Sequence, residues 1–205
     1  LAIDFFIKGL IIGFSIAAPV GPIGALCMRR TLTDGLVVGL ASGLGAASAD
    51  AVYGLIAAFG LTFITGVLLE QELWLRLFGG AFLLYLGFKI ILSEADVKGP
   101  DTSKLKLYKA FGSTFFLTLT NPLTILSFAA VFAGLGLGAA NSDYMLAGLL
   151  VFGVFTGSSL WWLLLSSSVT IMHKKLDIKL KRWINLISGL IISGFGLMAI
   201  YGAFR

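Results

Sequence analysis

The stretch "SIAAPVGPIGALCMRR", Ser15 to Arg30, sets two prolines and a glycine inside an apolar run long enough to cross a bilayer. A proline in a helix interior removes a backbone donor, crowds the preceding turn and costs about 3 kcal/mol. In hydrocarbon the freed carbonyl finds no water, so the break survives only inside protein or beside a wet cavity. The stretch therefore predicts a first helix interrupted at Pro19 and Pro22 in a membrane-embedded chain. The basic pair Arg29-Arg30 follows the apolar run, whereas a secretory leader carries its charge in front. A cleaved leader is not expected here, and Leu1 is not expected to be the natural first residue.

Composition places the whole chain in the membrane. Of 205 residues, 58% are hydrophobic and 12% charged, with a mean hydropathy of +1.00. A soluble domain carries about twice that charge. Apolar runs near 20 residues, enough to cross a core about 30 Å thick, recur at 3–28, 36–60, 73–92, 108–135, 145–170 and 184–204. The polar stretch 93–107 is the clear linker, so the chain reads as one transmembrane domain with a first half 1–92 and a second half 108–205. The net charge of +5 lies in the connections and implies no nucleic-acid partner. Twelve of the fifteen basic residues fall on the linker side, in the connections after the first, third and fifth spans. Lysine and arginine accumulate on the cytoplasmic side, so both termini are expected outside.

The halves repeat. "WLRLFGGAFLLYLG" places Trp74, Gly80 and Gly87 at the spacing of Trp183, Gly189 and Gly196 in "WINLISGLIISGFG", an offset of 109. In the first helix of each half, Gly9 stands ten residues before Pro19 and Gly112 ten before Pro122. Three spans per half force the second half in upside down, and inverted repeats with interrupted helices are a transporter signature. The expected fold is all-α: six transmembrane helices as two inverted three-helix repeats, with helices 1 and 4 interrupted at Pro19–Pro22 and at Asn121-Pro122.

Asp50, within "GLGAASADAVYGL", is the one acid deep in a span. Placing it there costs roughly 2.5–3.5 kcal/mol on insertion scales, which points to a cation, a proton or a wet cavity. Its repeat mate is Ser159, so the site is asymmetric. Ser158 and Ser159 read mainly as small packing residues. The single His173 lies in a basic loop and supports no serine-histidine dyad. Cys27, the only cysteine, forms no internal disulfide. One buried Asp, one loop His and one Cys make a poor metal-ligand set, so no metal site and no cofactor are expected, and a divalent-metal exporter is the weaker alternative. A structural membrane subunit would need neither paired breaks nor a buried acid.

Pro19-Val20-Gly21-Pro22, the glycine run Gly35, Gly39 and Gly45 ending at Asp50, Asn121-Pro122-Leu123, and "GLIISGFGL" near the C-terminus together resemble the lysine-exporter (LysE/RhtB-type) translocator family over nearly the whole chain. Val20 intrudes into that family's proline-glycine-proline motif, and Leu123 replaces its basic residue. The resemblance implies a non-enzymatic exporter of amino acids or similar metabolites in a prokaryotic cytoplasmic membrane. The chain has no phosphate loop for an ATP motor.

The residues suggest how. Backbone donors after Gly21 and Pro22 would take a carboxylate; Asp50 and carbonyls freed near Pro19 and Pro122 would take an ammonium; Asn121 donates and accepts, and Ser159 takes Asp50's place in the other half. Asp50 is the expected proton carrier. The expected partners are a small-molecule substrate and the bilayer, with a homo-oligomer left open. A single polar cavity joining Pro19–Pro22, Asp50 and Asn121-Pro122 is the structural expectation.

Overall fold

A computed structural model describes residues 2–19, 21–58, 71–93, 103–135, 144–172 and 178–204. The described residues form eight α-helices and no strand: α1 (Ala2–Ala17), α2 (Pro22–Asp34), α3 (Leu36–Ala58), α4 (Glu72–Ile91), α5 (Lys104–Leu119), α6 (Pro122–Leu135), α7 (Tyr144–Met172) and α8 (Ile178–Ala203). Four of them, α3, α4, α7 and α8, are long and apolar enough to cross a membrane. The pairs α1/α2 and α5/α6 pass together but are bent by 81° and 62°, which gives up to six spans.

Both bends fall where the prolines predict. Gly21 is extended at φ −119° and Pro22 opens α2, the helix position where a missing N–H costs nothing. At the second bend, the residue before a proline avoids helical geometry. Asn121 leaves the helix there, and its Oδ1 accepts from the Leu123 backbone N–H at 3.2 Å, an N-cap for α6. A third turn is tighter. Gly35, at φ 97°, passes the chain directly from α2 to α3, a conformation that strains any side chain.

Three boundaries differ from the apolar runs: the first span, expected to end at 28, continues as α2 to Asp34. The helix expected at 108 begins at Lys104, and that expected at 184 begins at Ile178. Lysine, leucine and arginine are good helix formers, so helices continue past the apolar stretch that hydropathy detects. The end of the 36–60 span and residues 94–102 of the linker lie outside the described residues.

The halves interlock. The most extensive packing joins α1 to α7, α4 to α8, and α3 to both α5 and α7. Asp50 meets Ser158, Gly54 lies on Val154 and Gly43 on Trp162; rising numbers in α3 meet falling ones in α7, so the two are antiparallel. Glycines set the distances. A Cβ on Gly9 or Gly13 would run into the backbone of Leu150 or Val154, and one on Gly153 or Gly157 into that of Phe6 or Leu10. Between α4 and α8 the contact is reciprocal. A Cβ on Gly80 would lie 2.9 Å from the Gly196 carbonyl oxygen, and one on Gly196 2.9 Å from that of Gly80; Gly87 and Gly189 repeat this at 2.8 and 2.9 Å. Small residues let backbones approach this way in lipid, where dispersion rather than water exclusion holds helices together.

Candidate substrate site between the broken helices

The two breaks meet at one pocket of about 180 Å³. Pro22, at the start of α2, and Thr120 and Asn121, between α5 and α6, border it; apolar side chains of α4, α5 and α8 supply the remaining wall. Of the residues expected here, Pro22 and Asn121 line the pocket. Gly21 caps α2 with open space where a Cβ would stand, Pro122 begins α6, and Pro19 is exposed between α1 and α2.

Asp50 and Ser159 are not among the lining residues, and the pocket is mainly apolar. The expected single polar cavity is thus replaced by an apolar pocket at the breaks and a separate polar cluster in the core. Asp50 is 3% exposed. Its Oδ2 accepts from the Ser158 hydroxyl at 2.7 Å, and the same oxygen of Ser158 accepts from the Trp162 indole N–H at 3.1 Å. The repeat offset points to Ser159, but the antiparallel crossing of α3 and α7 brings its neighbour round to the acid. The Ser159 hydroxyl is buried without a hydrogen-bond partner among the described residues.

The cluster touches the second break through Tyr53, one turn beyond Asp50. Its hydroxyl donates to the Leu119 carbonyl. In an unbroken helix that carbonyl would receive the Leu123 N–H, which Asn121 has taken. Buried backbone acceptors require a partner, and Tyr53 supplies it, with its ring stacked on Phe128 at 5.5 Å. Tyrosine reads as core in the sequence; only a freed carbonyl nearby reveals this task.

Arginines provide a second surprise. Arg29 and Arg30, read as loop charges, are helical and partly buried near the end of α2. The Arg29 Nε donates to Asn185 Oδ1 at 2.9 Å and its Nη2 to Ser93 Oγ at 3.2 Å. Arg30 donates from Nη1 to Ser42 Oγ at 2.9 Å and to the Ala110 carbonyl at 3.0 Å, and from Nη2 to Ser113 Oγ at 2.8 Å. Adjacent helical positions point apart, so the pair ties α2 to α4 and α8 on one side and to α3 and α5 on the other. The nearby acid Asp34 is paired with Lys106 at 3.0 Å. The sequence signal was Asn185, a polar residue inside the last apolar run.

The sequence model of the LysE type translocators matches residues 14–203. The chain belongs to this family. A protein of Bacillus subtilis (strain 168) named "Putative amino acid efflux protein YcgF" is 30% identical over 199 residues, covering 94% of this chain and 93% of the relative. "Uncharacterized membrane protein YahN" of Escherichia coli (strain K12) is 27% identical over 182 residues, covering 85% of this chain and 79% of the relative. No solved structure matches. For this LysE type translocator, membership makes a transport role the natural setting for the helix breaks, and a multi-pass membrane location follows from the family and the apolar helices together.

Serine substitutions separate the two hydroxyls beside Asp50. Ser158→Ala strips the acid of its donor and Trp162 of its acceptor, and an unsatisfied buried group costs about 1–3 kcal/mol. Thermal unfolding in detergent should show a clear loss of midpoint for Ser158→Ala and almost none for Ser159→Ala. Equal losses would mean that the Ser158 bond contributes nothing distinctive.

Proposed function

We propose that this protein exports an amino acid, or a close amine-bearing metabolite, across the cytoplasmic membrane by alternating access coupled to protons. The observation that carries the reading is the meeting of two broken helices at one pocket in a chain of a translocator family. Broken ends carry partial charges, positive at a helix N-terminus and negative at a C-terminus, and such ends form the substrate sites of repeat-built transporters. The name of the Bacillus subtilis relative supports amino acid efflux. Asp50, the acid buried in α3, is the proposed proton carrier.

The same reading takes residues 1–92 and 108–205 as inverted repeats of one domain. The reciprocal contacts support it: at the offset of 109, Gly80 corresponds to Gly189 and Gly87 to Gly196, so exchanging the halves returns the same contacts. The packing of α1 on α7 likewise exchanges with that of α5 on α3. The arginines have no counterpart: at the offset of 103 that relates Gly9 to Gly112 and Pro19 to Pro122, their places are held by Phe132 and Ala133. They tie the halves together at the basic end, which would close that end in this conformation, while Arg76 Nη1 donates to the Gly202 carbonyl at the other end. Rocking of the repeats would have to release those bonds.

Orientation follows from charge. The basic end should face the cytoplasm, with both termini outside. In a Cys27→Ala background, a membrane-impermeant thiol reagent added to intact cells should label Asn141→Cys but not Lys98→Cys. The reverse pattern would invert the direction of transport proposed here. Both positions lie outside the described residues.

A further inference from the structure

We propose that the pocket between the broken helices selects an amino acid with an uncharged aliphatic side chain, such as leucine, isoleucine, valine or methionine. This rests on the export reading above and adds the substrate class. Leu83, Leu117, Phe195 and Met198 form its apolar wall, and among the described residues no charged side chain lines the pocket. A lysine or glutamate side chain would therefore lose its water without gaining an ionic partner, a heavy penalty in an apolar site. Polar recognition is confined to the rim. Thr120 spends its hydroxyl proton on the Phe116 carbonyl at 2.9 Å. The Asn121 amide oxygen is taken by the Leu123 N–H, while its Nδ2 donates to no described residue. That free amide, beside the start of α2 at Pro22, is placed to hold a substrate carboxylate and leave the side chain directed at the apolar wall.

Size agrees with chemistry. An apolar cavity of about 150 Å³ accepts a benzene-sized guest, and this pocket measures about 180 Å³. A four-carbon or thioether side chain fits. Gly79 keeps the rim open, since a Cβ there would come within 3.0 Å of the Thr120 carbonyl oxygen. The pocket opens past Leu123 and Met198, which are exposed on the molecular surface. A lipid acyl chain is thus the competing occupant, and the contiguity of the pocket with both breaks and with a free side-chain amide favours the substrate.

The test uses the full chain in vesicles with a panel of radiolabelled amino acids, together with thermal melts of the detergent-purified protein in the presence of leucine, lysine or glutamate. Leucine, isoleucine, valine and methionine should be carried at least about tenfold faster than lysine or glutamate; a single methylene in an apolar pocket is worth about 10–200-fold. Ala199→Phe, which fills the pocket from α8, should shift preference towards alanine. Leu83→Ala should shift it towards phenylalanine, and the opposite direction of the two shifts guards against simple misfolding. Lysine or glutamate carried as well as leucine would overturn the inference. So would two variants that change every amino acid by the same factor, the result expected of a lipid-filled pocket. No amino acid flux, with stabilisation in melts by leucine alone, would reject the export reading and uphold the aliphatic site. No flux and no leucine-specific stabilisation would reject both.

Discussion

Vesicles reconstituted with Asp50→Asn should lose most substrate flux, and whatever remains should no longer respond to a pH gradient. The substitution keeps the shape of the side chain and an oxygen able to accept from Ser158, but removes the charge. A hydrogen bond to a charged group is worth about 1.5–3 kcal/mol, so the loss should be roughly 10–100-fold. Insertion should survive, because a neutral side chain is less costly in lipid than a carboxylate. Each inward positive charge gains about 2.3 kcal/mol per 100 mV, so a proton released by Asp50 on one side and taken up on the other could drive export against a gradient. The wild type must first be screened with several amino acids and with a divalent metal. Undiminished, pH-coupled transport by Asp50→Asn would make the aspartate a structural residue tying α3 to α7 through Ser158. Transport of the metal and of no amino acid would assign the protein to metal export.

Gly9→Val should be severely damaging to the fold. The first added atom would strike the Leu150 carbonyl, with Val154 N at 3.0 Å behind it. These are backbone atoms and cannot turn aside as a flexible side chain would. Overpacking a tight contact costs about 1–3 kcal/mol, more where the neighbours are rigid, and here relief requires α1 to move off α7. Gly148→Val, on α7 with nothing within 4 Å of its would-be Cβ, is the matched control. Size-exclusion profiles and melting curves in detergent should show loss of folded protein for Gly9→Val and near wild-type behaviour for Gly148→Val. Similar behaviour of the two would mean that the α1–α7 seam has slack absent from the packing described.

What could be read from the chain follows from how strongly its surroundings constrain it. Hydrocarbon demands long apolar segments, so the spans stand out. Proline acts on its own backbone, so both breaks were visible at Pro19–Pro22 and Asn121-Pro122. Glycines that touch glycines must keep register, so Gly80, Gly87, Gly189 and Gly196 were visible as a pattern. Tertiary choices were not. Nothing local decides that Ser158 rather than Ser159 turns to Asp50, because that depends on how two helices cross. Tyr53 has its role only because a carbonyl 66 positions away is left free. Arg29 and Arg30 looked like loop residues because charge usually marks water, whereas here polar groups of four other helices substitute for it. The apolar pocket was hidden because its walls come from helices far apart in sequence.

The arginine pair also bears on how the chain is made. Arg29 finds its main acceptor in Asn185, 156 residues later. At about 5–20 residues per second, the ribosome needs roughly 8–30 s to supply it. Until then only Ser93, 64 positions on, is available to that guanidinium, and an arginine in a membrane helix costs at most about 2.5–3.5 kcal/mol on insertion scales, the figure for the helix centre. The short polar helix α2 therefore has little reason to leave the translocon or the lipid headgroups early. The set of arginine partners is complete only when the last helix is made, so the second half of the chain would serve as the assembly partner of the first.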